Sequence, residues 1–329
     1  MFGLEREHEV AVVELGTSLP GEIACLTAVA RPDVAVLTRI SLEHSEGLGD
    51  IDSIQREEGA VLRGLANDAG AVVNADDPRC LAELESSGLE RRWLYGQREA
   101  PSGADRYCRI TACRASPSGR TEVVLSLGEA RFEVESPLVG LPGAYALAAS
   151  LLAAEALLGR PVTRGEVAAA LASPRLGEPG RLRLVSLADG TLVVDDSYNS
   201  SPASARSSIR VARELAEQRG GRLLLALGEM RELGSLSRRE HEALAGEVVA
   251  AKPAAVFAFG GDAHWLVRGM AAHEAGAGVA AKFYEDPLEA GRSLLRAARS
   301  GDVVLVKSSR GLRAERIVAL LVESVGRAT

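Results

Sequence analysis

The chain has 329 residues, of which 47% are hydrophobic and 25% charged, and its formal net charge at pH 7 is −7. This length and composition predict a globular protein of two domains. The acidic balance argues against sequence-independent nucleic-acid binding, which needs a basic surface. No apolar run approaches the ~18 residues typical of a membrane span, and no signal peptide is recognisable at the N-terminus. We therefore expect a cytoplasmic protein.

The first half of the chain alternates short apolar runs with helical patterns, which predicts βαβ units and a mainly parallel sheet. The predicted strands cover residues 10–15, 34–37, 71–73 and 93–95, and the predicted helices cover 21–29, 51–65 and 77–84. Residues 121–127 and 130–135 then predict an antiparallel excursion at the side of the sheet. Helices are predicted at 145–158 and 164–172.

A linker is predicted at residues 174–181, where two prolines and two glycines fall within eight residues. It divides the chain into one domain at 1–176 and a second at 177–329. In the second domain the predicted strands are 192–194, 222–227, 255–259 and 303–306, and the helices are 204–219, 238–251, 287–298 and 314–325. This alternation predicts a doubly wound α/β domain, with the active site between the two domains.

The most informative polar cluster follows the predicted strand 192–194. Asp195, Asp196, Tyr198 and Asn199 crowd the carboxyl end of this strand, which is where open α/β sheets bind ligands. The alternative is a strand–turn–helix junction that uses Asp and Asn as turn and cap residues.

Two further clusters follow neighbouring predicted strands. The segment 228–234 follows strand 222–227, and His241 lies on the next helix. Lys307 and Arg310 bracket two serines after strand 303–306, a pattern that can bind an anion. The alternative is that Asp196 pairs with Lys307 or Arg310 and holds the sheet edge together.

In the first domain a carboxylate and an imidazole follow two predicted strands. Glu14 lies at the end of the run 10–15, and a buried carboxylate there favours a cation partner. His44 follows strand 34–40 between Glu43 and Glu46. Together with phosphate oxygens, Glu and His could hold Mg²⁺. On the residues alone, a charged surface loop is the better interpretation.

Taken in chain order, these segments resemble the Mur ligase family, and within it the MurF type. The matching pieces are residues 14–16, 20–23, 44–49, 74–77, 179–182, 195–199, 228–234, 241 and 307–310. The resemblance implies a ligase that uses ATP to activate a carboxylate as an acyl phosphate, which an amine then attacks. The implied substrates are a UDP-MurNAc-peptide and D-Ala-D-Ala.

The resemblance also implies roles for individual residues. Glu14 and His44 match metal-binding positions. The positions that match nucleotide contacts are Arg181, Asp196 and Tyr198. The positions that match catalytic residues of the closed cleft are Asn199, His241, Lys307 and Arg310.

The chain departs from the family pattern on the ATP side. We expect it to lack the N-terminal substrate domain, and no Gly-Lys-Thr phosphate loop occurs in the 329 residues. Ala146 and Ala149 replace asparagines that would bond adenine, and Glu58 replaces a carbamylated lysine. The expected fold is thus a truncated P-loop-type central domain followed by a Rossmann-like C-terminal domain, with ATP and Mg²⁺ as cofactors whose binding is weakened. Two alternatives stay open: a degenerate homologue that binds or regulates, and half of a split ligase completed by a protein partner.

Overall fold

The computed structural model describes residues 5–116, 119–173 and 178–328, which build two six-stranded sheets. The first sheet has its strands in chain order. They are β1 (Val34–Leu37), β2 (Gly70–Asn74), β3 (Arg91–Gly96), β4 (Arg106–Ala115), β5 (Thr121–Leu127) and β6 (Ala130–Ser136). The pairs from β1 to β4 are parallel, whereas β4, β5 and β6 pair antiparallel. The predicted antiparallel excursion is therefore confirmed.

Seven helices accompany the first sheet within the described ranges. They are α1 (Glu22–Ala30), α2 (Ser45–Leu48), α3 (Ile51–Glu58), α4 (Ala60–Arg63), α5 (Pro78–Ser87), α6 (Gly140–Leu158) and α7 (Arg164–Leu171). The single helix predicted over 51–65 is divided at Gly59 into α3 and α4. A side chain at Gly59 would collide with the Glu83 carboxylate, so this position accepts only glycine without rearrangement.

The second sheet is doubly wound. Its strands are β7 (Arg183–Ser186), β8 (Leu192–Asp196), β9 (Leu223–Gly228), β10 (Ala255–Phe259), β11 (Ala280–Tyr284) and β12 (Val303–Lys307), in the spatial order β11-β10-β9-β12-β8-β7. All pairs are parallel except β7 with β8. Strands β8, β9 and β12 are buried at every position, which explains the apolar runs that fill β9 and that precede the charged ends of β8 and β12.

Helices cover both faces of the second sheet. They are α8 (Pro202–Arg219), α9 (Ser237–Ala250), α10 (His264–Ala272), α11 (Pro287–Ala297) and α12 (Glu315–Val325). One core cluster joins the sheet to α8, α9 and α10, and another joins it to α11 and α12. Strands β7 and β11 and helix α10 were not predicted. Strands β7 and β11 lie at the two edges of the sheet, where only one neighbouring strand covers them.

The expectation of a strand at residues 10–15 is wrong. These residues form no strand, and Val10, Val12 and Val13 are 52%, 95% and 48% exposed. An apolar run becomes a buried strand only where a neighbouring strand and a covering layer exist. Here the run makes no ladder with β1, so its hydrophobicity alone did not determine its conformation.

Helix α6 is the one described helix that is long and apolar enough to cross a membrane. It has 19 residues and a mean hydropathy of 1.5 over its most apolar window, although Ser150 and Glu155 interrupt its apolar residues. Half of that window is buried, and Ala144, Ala148 and Leu152 lie in the core beside the first sheet. Its composition is therefore accounted for by packing on a sheet.

The two units meet where α6 crosses α8. Gly140, at the start of α6, has φ +65°, and a Cβ there would lie 2.6 Å from Val211 of α8. Glycine therefore permits both the backbone conformation and the close approach. The first four residues of the predicted linker, 174–177, lie outside the described ranges. They include the predicted domain boundary at 176 and 177, which stays a prediction.

Candidate functional site at the strand ends of the second sheet

Lys307 and Asp196 lie at the carboxyl ends of the adjacent strands β12 and β8 and form a buried ion pair. The Lys307 Nζ donates to Asp196 Oδ2 at 2.5 Å and to the Asn199 carbonyl at 2.9 Å. Asp196 also accepts from Ser208 Oγ at 2.6 Å and from the Leu182 amide at 3.1 Å. Since Lys307 is only 2% exposed, its charge is used to join the strands.

Asp195 organises the turn that follows β8. Its Oδ1 accepts from the Ser197 hydroxyl at 2.6 Å, and its Oδ2 accepts from the Gly180 amide at 3.2 Å. The Gly180 carbonyl in turn accepts from the Tyr198 amide at 2.9 Å. The segment before β7 is thereby fixed against the end of β8, so Arg181 lies beside Tyr198.

Two guanidinium groups lie over the ring of Tyr198. The Arg181 Cζ is 4.2 Å and the Arg310 Cζ 5.0 Å from the ring centroid. Arg310 Nη1 also donates to the Tyr198 hydroxyl at 3.1 Å. All three side chains are exposed, so the two cations remain open to an anion while the ring holds them together.

Asn199 lies beside this group on the exposed side of the turn. Its Oδ1 accepts from the amide of Ser200 at 2.9 Å. The Ser200 carbonyl accepts from Ser309 Oγ at 3.4 Å, which joins the turns after β8 and β12. The structure thus brings together Arg181, Asp196, Tyr198, Asn199, Lys307 and Arg310 at one edge of the sheet.

His241 lies away from that surface. It is 1% exposed, its Nε2 is 3.0 Å from the Met230 amide, and its Nδ1 is 2.8 Å from the Ser237 carbonyl. An amide donor at Nε2 requires that Nδ1 carry the proton. Burial lowers the pKa of His241, which favours this neutral form. Both ring nitrogens are therefore occupied within the second unit.

The 229–234 loop, which follows β9, contacts the first unit. The Glu232 carboxylate pairs with His44 Nδ1, and the Glu232 carbonyl accepts from the Glu46 amide at 3.0 Å. The Leu233 carbonyl accepts from Ser45 Oγ at 3.2 Å. The sequence patterns at 44–49 and 228–234 did not predict this contact. Glu232 was not distinguished from the other residues of its segment.

The proposed metal ligands do not form a metal site in the described chain. Glu14 is exposed on the unpaired segment 10–15, and His44 is paired with Glu232. Across the described residues, no group of three or more His, Cys, Asp or Glu side chains is arranged to hold a metal ion. The pKa of Glu58 is raised, mainly by burial and to a smaller extent by the nearby carboxylate of Glu43. The donor set therefore does not fit Mg²⁺, and the roles of Glu14 and His44 stay predictions.

The two alanines at the predicted adenine positions lie on α6, where Ala146 is exposed and Ala149 buried. Neither side chain can donate or accept a hydrogen bond. Tyr145 directly precedes Ala146 on the same helix. Its hydroxyl donates to Asp76 Oδ2 at 2.5 Å, and Asp76 also accepts from the Gln97 amide at 2.5 Å. The polar groups of Tyr145, Asp76 and Gln97 are thus paired with one another.

Comparisons with known proteins agree with this architecture. Residues 1–154 match the Mur ligase middle domain, and residues 180–310 match the Mur ligase, glutamate ligase domain. The UDP-N-acetylmuramoyl-tripeptide–D-alanyl-D-alanine ligase of Escherichia coli is 30% identical over 325 residues, which is 98% of this chain and 68% of the relative. The chain belongs to the Mur ligase family. The same ligase from Bacillus subtilis is 27% identical, over 98% of this chain and 66% of its own length.

Solved structures of Mur ligases share the fold. A MurF from Acinetobacter baumannii superposes with a TM-score of 0.81 at 25% identity, covering 97% of this chain and 66% of that one. The MurF ligase of Thermotoga maritima in complex with ADP gives 0.76 at 27% identity, covering 94% and 66%. The chain thus spans about two thirds of the length of these relatives, and the resemblance to MurF-type Mur ligases is confirmed.

Proposed function

We propose that this protein provides the central and C-terminal domains of a MurF-type ligase of peptidoglycan precursor synthesis. The reaction would be ATP-dependent formation of an amide between a UDP-MurNAc-peptide and D-Ala-D-Ala, in the cytoplasm. The observation that carries the proposal is the pair of exposed guanidinium groups, Arg181 and Arg310, held over Tyr198 at the strand ends of the second sheet.

The chemistry assigned to these residues is anion binding. An acyl phosphate would form when a carboxylate oxygen attacks the γ-phosphorus of ATP and ADP leaves with the bridging oxygen. Both reactants are anions that repel each other. Arg181 and Arg310 are positioned to hold such groups, because a guanidinium offers a planar fork of donors to carboxylate or phosphate. Asn199 is exposed beside them and offers an uncharged amide.

Lys307 and Asp196 have a supporting role in this proposal. Their buried pair fixes the ends of β8 and β12, and it leaves Arg310 as the available cation of its segment. A rigid sheet edge lowers the cost of ordering the side chains on binding. We assign no step to Mg²⁺, since the residues of the described chain do not fit it.

A second candidate is a non-catalytic binding module, or half of a split ligase that a protein partner completes. The unassembled metal site and the alanines at 146 and 149 favour it. In that case the cleft would bind an anionic precursor without turnover by this chain.

A ligation assay separates the two candidates. The protein is incubated with UDP-MurNAc-tripeptide, D-Ala-D-Ala and Mg-ATP, and the pentapeptide product is measured by mass spectrometry together with released phosphate. Product that Arg310→Ala reduces at least tenfold supports the ligase. Calorimetric binding of the precursor without product supports the second candidate. Neither product nor binding contradicts both.

A further inference from the structure

The 229–234 loop carries the main contacts that the second unit makes with the residues at the start of α2. Two of these contacts use backbone carbonyls, those of Glu232 and Leu233, which accept from the Glu46 amide and the Ser45 hydroxyl. A side chain can adjust to a displaced partner, whereas a backbone carbonyl moves only with its loop. The position of the loop therefore affects how the second unit docks against the start of α2.

The conformation of this loop is strained locally. Glu232 has φ +62° and Gly234 has φ +51°, and a non-glycine residue in the left-handed region is uncommon. The surrounding structure must supply contacts that keep this conformation. Two such contacts come from the strand ends: Arg231 donates its amide to Ser309 Oγ at 2.9 Å, and Ser309 donates its amide to the Glu229 carbonyl at 3.3 Å.

The third contact comes from beneath the loop. His241 on α9 accepts the Met230 amide at Nε2 and donates from Nδ1 to the Ser237 carbonyl at the start of the same helix. The imidazole thus connects the loop to the first turn of α9. Only a ring with one donor nitrogen and one acceptor nitrogen at this spacing satisfies both groups at once.

We propose that His241 is a positioning residue for interdomain docking, which holds the 229–234 loop where Glu232 and Leu233 meet residues 44–46. This rests on the proposed function and deepens it, since ligation would require the two units to be held together. It replaces the catalytic role expected from the sequence, because the ring is buried and both of its nitrogens are occupied.

Disulfide trapping tests docking without turnover. A Cβ at Gly234 would lie 3.6 Å from the Glu46 Cβ position, which is within the range of a disulfide. The double variant Glu46→Cys, Gly234→Cys is made in a Cys25→Ser, Cys113→Ala background, because those two native thiols are accessible. The rate of disulfide formation under mild oxidation then reports how often the loop meets residue 46. The backbone strain of a cysteine at residue 234, where φ is +51°, is the same in every variant that is compared.

Two matched substitutions of His241 distinguish positioning from general stability. In His241→Gln the amide oxygen reaches the place of Nε2 and can still accept from Met230. His241→Asn is one methylene shorter and reaches only the place of Nδ1. We expect trapping to slow at least threefold in the Asn variant and by less in the Gln variant. Leu294→Ala, a buried change on the opposite face of the sheet, should slow it less than threefold.

Trapping in the Asn variant within threefold of the parent overturns the proposal, as does an equal loss in the Leu294→Ala control or in the Gln variant. Nitrogen NMR of the unsubstituted protein at pH 8 provides a measurement that no folding defect can affect. We expect protonated Nδ1 and unprotonated Nε2 at His241, and the opposite tautomer overturns the proposal. Neither readout requires ATP, so a protein without ligase activity still tests this inference.

Discussion

Lys307 and Asp196 are joined by a 2.5 Å contact across the adjacent strands β12 and β8, in a place where Lys307 is almost fully buried. Buried charges of this kind stabilise a fold only while both partners are present, since each has lost its hydration. The pair thus explains why an otherwise apolar, buried strand ends in a lysine. The pair also gives Lys307 and Arg310 different roles, whereas the sequence pattern had predicted that both bind the same anion.

Removing the cation of this pair should be costly. We expect Lys307→Met to lower the free energy of unfolding by about 3–5 kcal/mol, because Asp196 would stay buried without its partner. Chemical denaturation measures the loss. The double variant Lys307→Met, Asp196→Asn should recover a large part of it. A loss below about 1 kcal/mol in the single variant would show that the pair is not buried as described.

Tyr198 should affect anion binding through the two arginines that flank it. Tyr198→Ala removes the surface shared by Arg181 and Arg310. Two exposed cation–π contacts at about 0.5–1 kcal/mol each correspond to a loss of about 5–30-fold in affinity. Calorimetric titration with inorganic pyrophosphate measures it. Tyr198→Phe keeps the ring and should lose less than half as much free energy, and an unchanged affinity in the Ala variant would count against this role.

The stability of the protein should decrease in mild acid because of His241. Burial lowers the pKa of His241 below its ordinary value, against the opposing effects of the Ser237 carbonyl, Asp262 and Glu229. Below about pH 6.5 the unfolded chain takes up a proton that the folded chain resists, so stability is present above that pH and is lost as pH falls.

Urea denaturation between pH 5 and pH 8 measures this slope. His241→Gln has no titrating group at this position, so its free energy of unfolding should fall less steeply toward pH 5. Equal slopes in the two proteins would contradict the assignment of this pH dependence to His241.

The ion pair between Glu232 and His44 should contribute little to stability. The two side chains are 56% and 33% exposed, and exposed pairs contribute at most about 1 kcal/mol. We expect Glu232→Ala to change the free energy of unfolding by less than about 1 kcal/mol, and 0.5 M salt to reduce even that. Denaturation at low and high salt tests both statements, and a loss above 2 kcal/mol would mean that the contact is more deeply buried.

The exposed apolar residues near the first sheet should promote self-association. Val12 is 95% exposed, and Val10, Val13, Val29 and Val36 are also exposed. Exposed apolar side chains that gather on one surface favour association. We expect Val12→Lys to lower the apparent mass by light scattering at high protein concentration, with an unfolding free energy within about 0.5 kcal/mol of the parent. A soluble monomer before substitution, or a large loss of stability, would contradict this interpretation.

The sequence by itself determined the class of the fold and most of its elements. The runs at β8, β9 and β12 are apolar because each strand is covered on both faces, and the helical spacing of α8, α9, α11 and α12 reports their packing on the sheet. The polar residues after β8 and β12 were recognisable for the same local reason, since the apolar pattern stops where the strand leaves the core. The family resemblance added the expected chemistry.

The tertiary structure decided which of those polar groups meet. Strand β12 lies between β9 and β8, so Lys307 reaches Asp196 while Arg310, beyond the strand end, reaches Tyr198. Helix α9 places His241 under the 229–234 loop. The family resemblance had implied a catalytic role for this histidine. Residues 10–15 form no strand because no neighbouring strand pairs with them. Glu232 meets His44 although the two residues are far apart in the sequence. A local sequence pattern reflects which residues are buried. Which polar side chains meet depends on the order of the strands and on how the two units approach each other, and no short segment determines either.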